Sequence, residues 1–191
     1  MSRPRGRPAA GAGVTREAIL SAALALLDED GARLGMRTLA ARLGVTPMSL
    51  YHHVGDLAGL LQALSGHVYC AVLEDAGPAG DARAQLRALL TRYHDAVGRH
   101  PQLTLAIFAE PAAFAGTAQR ITDRLTVLLS ALTPEHLLWR DILVDHAHGS
   151  GLALCAARGD GARLEAMRGQ YGLALDRLLE RLALPGHGSA S

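Results

Sequence analysis

The chain has 191 residues, of which 35 are alanine and 34 leucine, against 12 valine plus isoleucine and 7 aromatics. That excess of helix formers, with strand-favouring types scarce, excludes an all-β fold and disfavours a doubly wound α/β sheet; 49% hydrophobic and 19% charged residues exclude wholesale disorder. The net charge of +1 hides an asymmetry: residues 1–55 carry seven arginines against four acids, residues 56–191 twelve against fourteen, so a polyanion partner is expected at one end only.

Residues 1–13 form a basic arm of Arg, Pro, Gly and Ala without an acid, a composition that cannot pack a core. Within it, Pro4-Arg5-Gly6-Arg7-Pro8 resembles the centre of an AT-hook, whose extended backbone would let Arg5 and Arg7 enter a minor groove; a plain disordered tail is the competing reading. The arm lacks an apolar stretch, so no signal peptide is expected. A first helix is predicted over 16–30. Thr15 is its N-cap, Val14 and Ile19 have hydrophobic-staple spacing, Ile19, Ala23, Leu26 and Leu27 share a face, and Gly31 supplies the stop.

Two short helical patterns then flank Gly44, which permits a sharp turn. Leu39 and Leu43 point inward on the first, Leu50 and Val54 on the second, where Thr46 is the cap and Pro47 takes the first helical position. Residues 31–55 hold three arginines and no acid. This is a helix-turn-helix with its second helix placed for a major groove. Asp56 caps a long helix to about Glu74, within which Leu57–Leu73 is free of charge but marginally short for a membrane span. A break at Ala76–Gly80 precedes helices over about 81–100, 102–109, 111–132, 133–157 and 162–184.

Cys70 and Cys155 lie in apolar surroundings without close spacing, which fits buried thiols in a reducing, cytoplasmic setting. No phosphate loop, nucleophile elbow or zinc-protease motif is present, so no enzyme activity and no cofactor are expected. Among the histidines, Asp141, Asp145 and His148 share a helical face, but no further ligand completes a metal shell, and a surface or interface network is the favoured reading.

From Ile19-Leu20 through Met36-Arg37-x-Leu39-Ala40-x-x-Leu43-Gly44-Val45-x-Pro47-x-x-Leu50-Tyr51-x-His53-Val54 to Leu57-x-x-Leu60-Leu61, the chain resembles the tetracycline-repressor (TetR) family of bacterial transcription regulators. Tyr171-Gly172-Leu173 is similar to a short pattern of the tetracycline-type subgroup. The resemblance implies an all-α homodimer, with a helix-turn-helix DNA-binding domain over 14–61 and a helical effector-binding and dimerisation domain over 62–191. It implies repression relieved by a ligand, and a four-helix dimer interface from the last two long helices. There, Leu164, Met167, Tyr171, Leu175, Leu178, Leu179 and Leu182 form an apolar stripe, and Gly149, Gly151 and Ala153 would allow close approach. Two departures stand out. Leu57 replaces a usual basic residue. In an ungapped alignment the tetracycline-contacting and magnesium-ligating histidines fall at Leu73 and Ala106, so tetracycline–magnesium is not expected as effector.

The expected partners are a double-stranded DNA operator, a small apolar or amphipathic effector and a second copy of the chain, with no membrane. The candidate DNA contacts are Arg5, Arg7, Arg37, Thr46, Pro47, Met48, Ser49, Tyr51, His52 and His53. Met48 could meet a thymine methyl and Arg37 a guanine, whereas Tyr51 and His53 fit phosphates. The candidate effector contacts are Leu64, Val68, Leu90, Tyr93, His94, Ile107, Phe108 and Phe114; Tyr93 and His94 could serve a ligand or satisfy a core. A helical small-molecule carrier with a degenerate helix-turn-helix is the alternative function.

Overall fold

The computed structural model describes residues 14–29, 34–74 and 81–182, and all regular structure among them is helical. The arm with Arg5 and Arg7, the Gly31 stop, the 76–80 break and the tail after Leu182 lie outside the described residues. The chain divides into two compact units, 1–60 and 61–191.

The first unit holds α1 (Arg16–Asp28), α2 (Met36–Leu43), α3 (Pro47–Val54) and the first turn of α4 (Leu57–Tyr69). Thr15 Oγ1 accepts from the Ala18 N–H at 3.1 Å, satisfying one orphan donor of α1. The helix ends at Asp28, two residues before the expected end, with Glu29 already extended. Ile19, Ala23, Leu26, Leu39, Leu50 and Leu60 are buried, so the i, i+3/i+4 faces read from the sequence are the packed ones. Gly44, at φ 65°, ends α2, and the Gly44 and Val45 N–H groups donate back to the Ala41 and Ala40 carbonyls. Thr46 and Pro47 then open α3 as expected. Asp56 Oδ1 accepts from the Gly59 N–H at 2.9 Å and caps α4. A Cβ at Gly59 would stand 2.1 Å from the Val54 carbonyl oxygen, so only glycine fits there.

The second unit holds the rest of α4, α5 (Ala82–Arg99), α6 (Pro101–Ala109), α7 (Thr117–Ser130), α8 (His136–Ala153) and α9 (Gly161–Arg181). Three expected helices are shorter than the periodicity implied. α4 stops at Tyr69 and gives way to a 3₁₀ turn, Cys70–Val72. The Arg92 guanidinium takes the Val72 carbonyl at 2.8 Å and the Glu74 carbonyl at 2.8 Å. The turn buries Val72 and leaves Cys70 exposed, and Cys155 is half-buried, which corrects the expectation of two buried thiols. Residues 111–116 form a 3₁₀ turn and a corner at Gly116 (φ 81°), so α7 starts only at Thr117. α8 tightens into a 3₁₀ turn over Leu154–Ala157.

α5 packs on α7, α8 and α9. Its crossing with α8 and the turn that follows runs over glycines: a Cβ at Gly98 would meet Leu154 Cδ1 at 2.4 Å and the Gly151 carbonyl oxygen at 3.3 Å. Gly151 is likewise filled by α5 of the same chain, whereas nothing lies within 4 Å of a Cβ at Gly149. Gly151 is therefore not room for a second copy. Tyr171, Leu175 and Leu179 on α9 and Leu182 just past its end are buried within the chain, and Leu173, which the stripe omitted, is 71% exposed. Among the described residues no helix is long and apolar enough to cross a membrane.

Candidate functional site

The α2–turn–α3 segment sorts its side chains by face. Leu50 and Val54, four residues apart, are buried and anchor α3. Thr46, Pro47, Met48, Tyr51, His52 and His53 are exposed, Met48 at 64% despite its apolar side chain. Ser49 is half-buried. Its N–H donates to Thr46 Oγ1 at 3.3 Å and its hydroxyl lies 3.0 Å from the same oxygen, so the hydroxyl is partly committed to the cap. α3 contains no Arg, Lys, Asp or Glu. On α2, Arg42 pairs with Glu29, while Arg37 is exposed and makes no ion pair among the described residues. The surface thus presents one available guanidinium beside uncharged hydrogen-bonding and apolar groups, a set that can approach base edges and phosphates together.

The second unit contains a cavity partly open to solvent, with about 50 Å³ of room for the centre of a water-sized molecule. Four of the expected effector residues line it: Tyr93, Ile107, Phe108 and Phe114. Leu64 and Leu90 are fully buried and do not line it; Val68 does not line it either. His94 is 1% exposed and turns away from the cavity. Tyr69, Thr104, Ala118, Ile121, Thr122, Leu125, Val144 and His148 complete the lining and were not legible as such. The 3₁₀ corner and the helix register that present them leave no mark in a helical periodicity. Leu73 and Ala106 are not part of the lining.

The polar groups of the wall are paired with each other. Tyr69 Oη lies 2.7 Å from Thr104 Oγ1, which also reaches the His100 carbonyl at 3.3 Å. Tyr93 Oη lies 2.5 Å from His148 Nε2. Burial pushes the Tyr69 phenol up to about 12 and raises Tyr93 above the ordinary phenol range. Burial also holds His148 below the usual imidazole value, against the opposite pull of Asp145. At neutral pH the wall carries no charge. His148 shares a helical face with Asp141 and Asp145, but its ring is bonded to Tyr93, and Asp141 pairs with Arg140. Among the described residues no three His, Cys, Asp or Glu side chains gather as metal ligands would.

A second polar cluster joins α5, α8 and α9. His94 Nε2 is 3.2 Å from Ser150 Oγ, His94 Nδ1 is 3.6 Å from Asp95 Oδ1, and Arg168 Nε is 3.2 Å from the same oxygen. The order Ser–His–Asp suggests a nucleophile, yet His94 is sealed between Tyr171, stacked at 3.8 Å, and the helix core. With no space for a substrate at its nitrogen, the cluster ties helices together. The Asp95 carboxyl is held below its usual range by its bond to His94, with Arg168 adding to the effect.

Residues 19–64 match the family model described as bacterial regulatory proteins, tetR family. The N-terminal segment thus carries the helix-turn-helix domain of the TetR family. The chain is therefore a DNA-binding transcription regulator of the helix-turn-helix type, and the carrier alternative is not favoured. None of the curated protein sequences compared with the chain matches it. Among solved structures, it is similar to the transcriptional regulator SCO7222, a TetR from Streptomyces coelicolor, with 26% identity, TM-score 0.65, and 89% of this chain and 98% of that one covered. It is also similar to BioQ crystallised with its double-stranded DNA operator (23%, TM-score 0.67, 90% and 99% covered). A third likeness is to a TetR variant from Acinetobacter baumannii AYE in complex with minocycline (23%, TM-score 0.65, 90% and 99% covered). The last two likenesses establish the fold alone.

Proposed function

We propose that this regulator is a TetR-family repressor that acts as a homodimer and leaves its operator when a small apolar or amphipathic molecule enters the cavity of the second unit. Residues 14–61 bind DNA in this reading, and residues 62–191 hold effector and partner. The observation that carries it is the exposed face of α3, with Met48, Tyr51, His52 and His53 outward and Leu50 and Val54 anchoring the helix from behind. Arg37, Thr46, Pro47 and Ser49 extend the same DNA-contacting set. The operator complex of BioQ and the minocycline complex of TetR support the two kinds of partner. The partner-facing residues are Leu138 and Ile142 on α8 and Leu173 on α9, which are 57%, 37% and 71% exposed in the single chain. Ala166 and Gly169 stand at helical spacing from Leu173 and are exposed too, leaving room for another helix.

The deciding experiment is a mobility-shift titration with the DNA upstream of the protein's own gene, at several salt concentrations. Two symmetric half-sites and steeply salt-dependent affinity are expected, because arginine–phosphate contacts release counterions. Salt-independent binding, or protection of one asymmetric half-site, would contradict the reading.

A further inference from the structure

The cavity wall is selective by its chemistry. None of its twelve lining residues is Arg, Lys, Asp or Glu. Its hydroxyls are mostly spent: Tyr69 on Thr104, Thr104 on the His100 carbonyl, and Thr122 on the Ala118 carbonyl at 3.2 Å. The Tyr93–His148 pair is different. Whichever nitrogen of a neutral His148 carries the proton, the Tyr93 oxygen keeps one further hydrogen-bonding capacity, as acceptor if it donates to Nε2 and as donor if it accepts. Two phenylalanines line the same space while remaining 53% (Phe108) and 40% (Phe114) exposed, and Phe108 stands edge-on to the His148 ring at 4.8 Å. Exposed rings on a concave wall are contact surface for another ring. A ligand bearing full charge would lose its hydration and find no counter-charge.

We propose that this cavity is specific for an uncharged aromatic compound, its ring against Phe108 and Phe114 and one of its polar groups bonded to the Tyr93–His148 pair. The proposal rests on the cavity's being the effector site. It fixes the class of effector: a neutral phenol, aryl ketone or arylamine enters, and an aryl carboxylate or sulfonate of the same skeleton does not.

Fluorescence titration of the full chain with N-phenylnaphthylamine, and with its sulfonated counterpart anilinonaphthalenesulfonate, isolates the charge. The neutral probe should bind at least about tenfold more tightly. Phe108→Ala, at an exposed position, should weaken the neutral probe by about tenfold while keeping the helical circular-dichroism spectrum, and Val127→Ala, exposed on α7 outside the cavity lining, should leave it unchanged. Equal or tighter binding of the sulfonate, no binding of the neutral probe, or indifference to Phe108→Ala would overturn the proposal. The same neutral probe added to the protein–DNA complex separates the two levels. Selective binding without release of DNA sustains the ligand class and defeats ligand-gated repression. Release of DNA by both probes alike sustains gating and defeats the ligand class.

Discussion

Gly151 of α8 lies against Val97 of α5: a Cβ on the glycine would stand 2.8 Å from Val97 Cγ1 and 3.0 Å from the His94 carbonyl oxygen. The carbonyl belongs to a helix backbone and cannot yield. Gly151→Ala should therefore destabilise the fold by about 1–3 kcal/mol through overpacking. Gly149→Ala, two residues away in open space, should stabilise it by about 0.5–1 kcal/mol through helix propensity. Urea denaturation of both variants checks the sign.

On DNA, Arg37→Ala should weaken the operator by about 1–3 kcal/mol more than random DNA if its guanidinium reads a base. Ser49→Ala should show a smaller bias of the same kind, since the hydroxyl is shared with Thr46 while the capping N–H remains. His53→Ala should weaken operator and random DNA alike, as a phosphate contact does. Competition titrations at fixed salt measure the three; equal losses for all would place specificity elsewhere.

Assembly gives a third expectation. Leu173→Arg puts a charge at the most exposed apolar side chain of α9. The dimer should dissociate in light scattering, and full-operator affinity should fall with it. A variant that stays dimeric with DNA affinity intact would show that α9 does not face the partner.

Acid should loosen the second unit in two stages. His148 and His146 have imidazole values lowered by burial, the second also by the charge of His94. The unfolded chain then binds protons more readily than the folded one. Stability is complete above the ordinary imidazole value of 6.5 and is lost as pH falls through the lowered folded values. Asp95 and Asp176, lowered by His94 and Arg87 respectively, lose their contribution only below the carboxylate reference of 3.8. Thermal melts between neutral pH and about pH 5 should show a falling midpoint, and His148→Gln should flatten that slope. An unchanged slope would mean that His148 keeps its neutral-state surroundings in the unfolded chain.

The helix-turn-helix was legible because every local signal agreed: the Thr15, Thr46 and Asp56 caps, Gly44 and the apolar spacing of Leu39, Leu50 and Val54. The second unit was less so. Leu64 and Leu90 have the same apolar character as Leu125, yet only Leu125 faces the cavity, and that difference depends on how neighbouring helices cross. His94 and His148 look alike in sequence. One is stacked on Tyr171 and the other bonded to Tyr93 at the cavity wall, an assignment set by contacts dozens of residues away. The stripe on α9 was correctly apolar, but its residues Tyr171, Leu175 and Leu179 serve the chain's own core and Leu173 is left outward.

The seat of Gly59 on the Val54 carbonyl leaves no side-chain layer between the end of α3 and the first turn of α4. Such a layer is what usually gives a joint its slack, since rotamers can shift before backbones do. Here backbone meets backbone, and the corner has no play. A small turn of the α4 N-terminus is handed directly to α3 rather than absorbed on the way. A methyl group at position 59 would act as a wedge, resetting the angle of the corner even if every contact of Met48, Tyr51 and His53 were left in place.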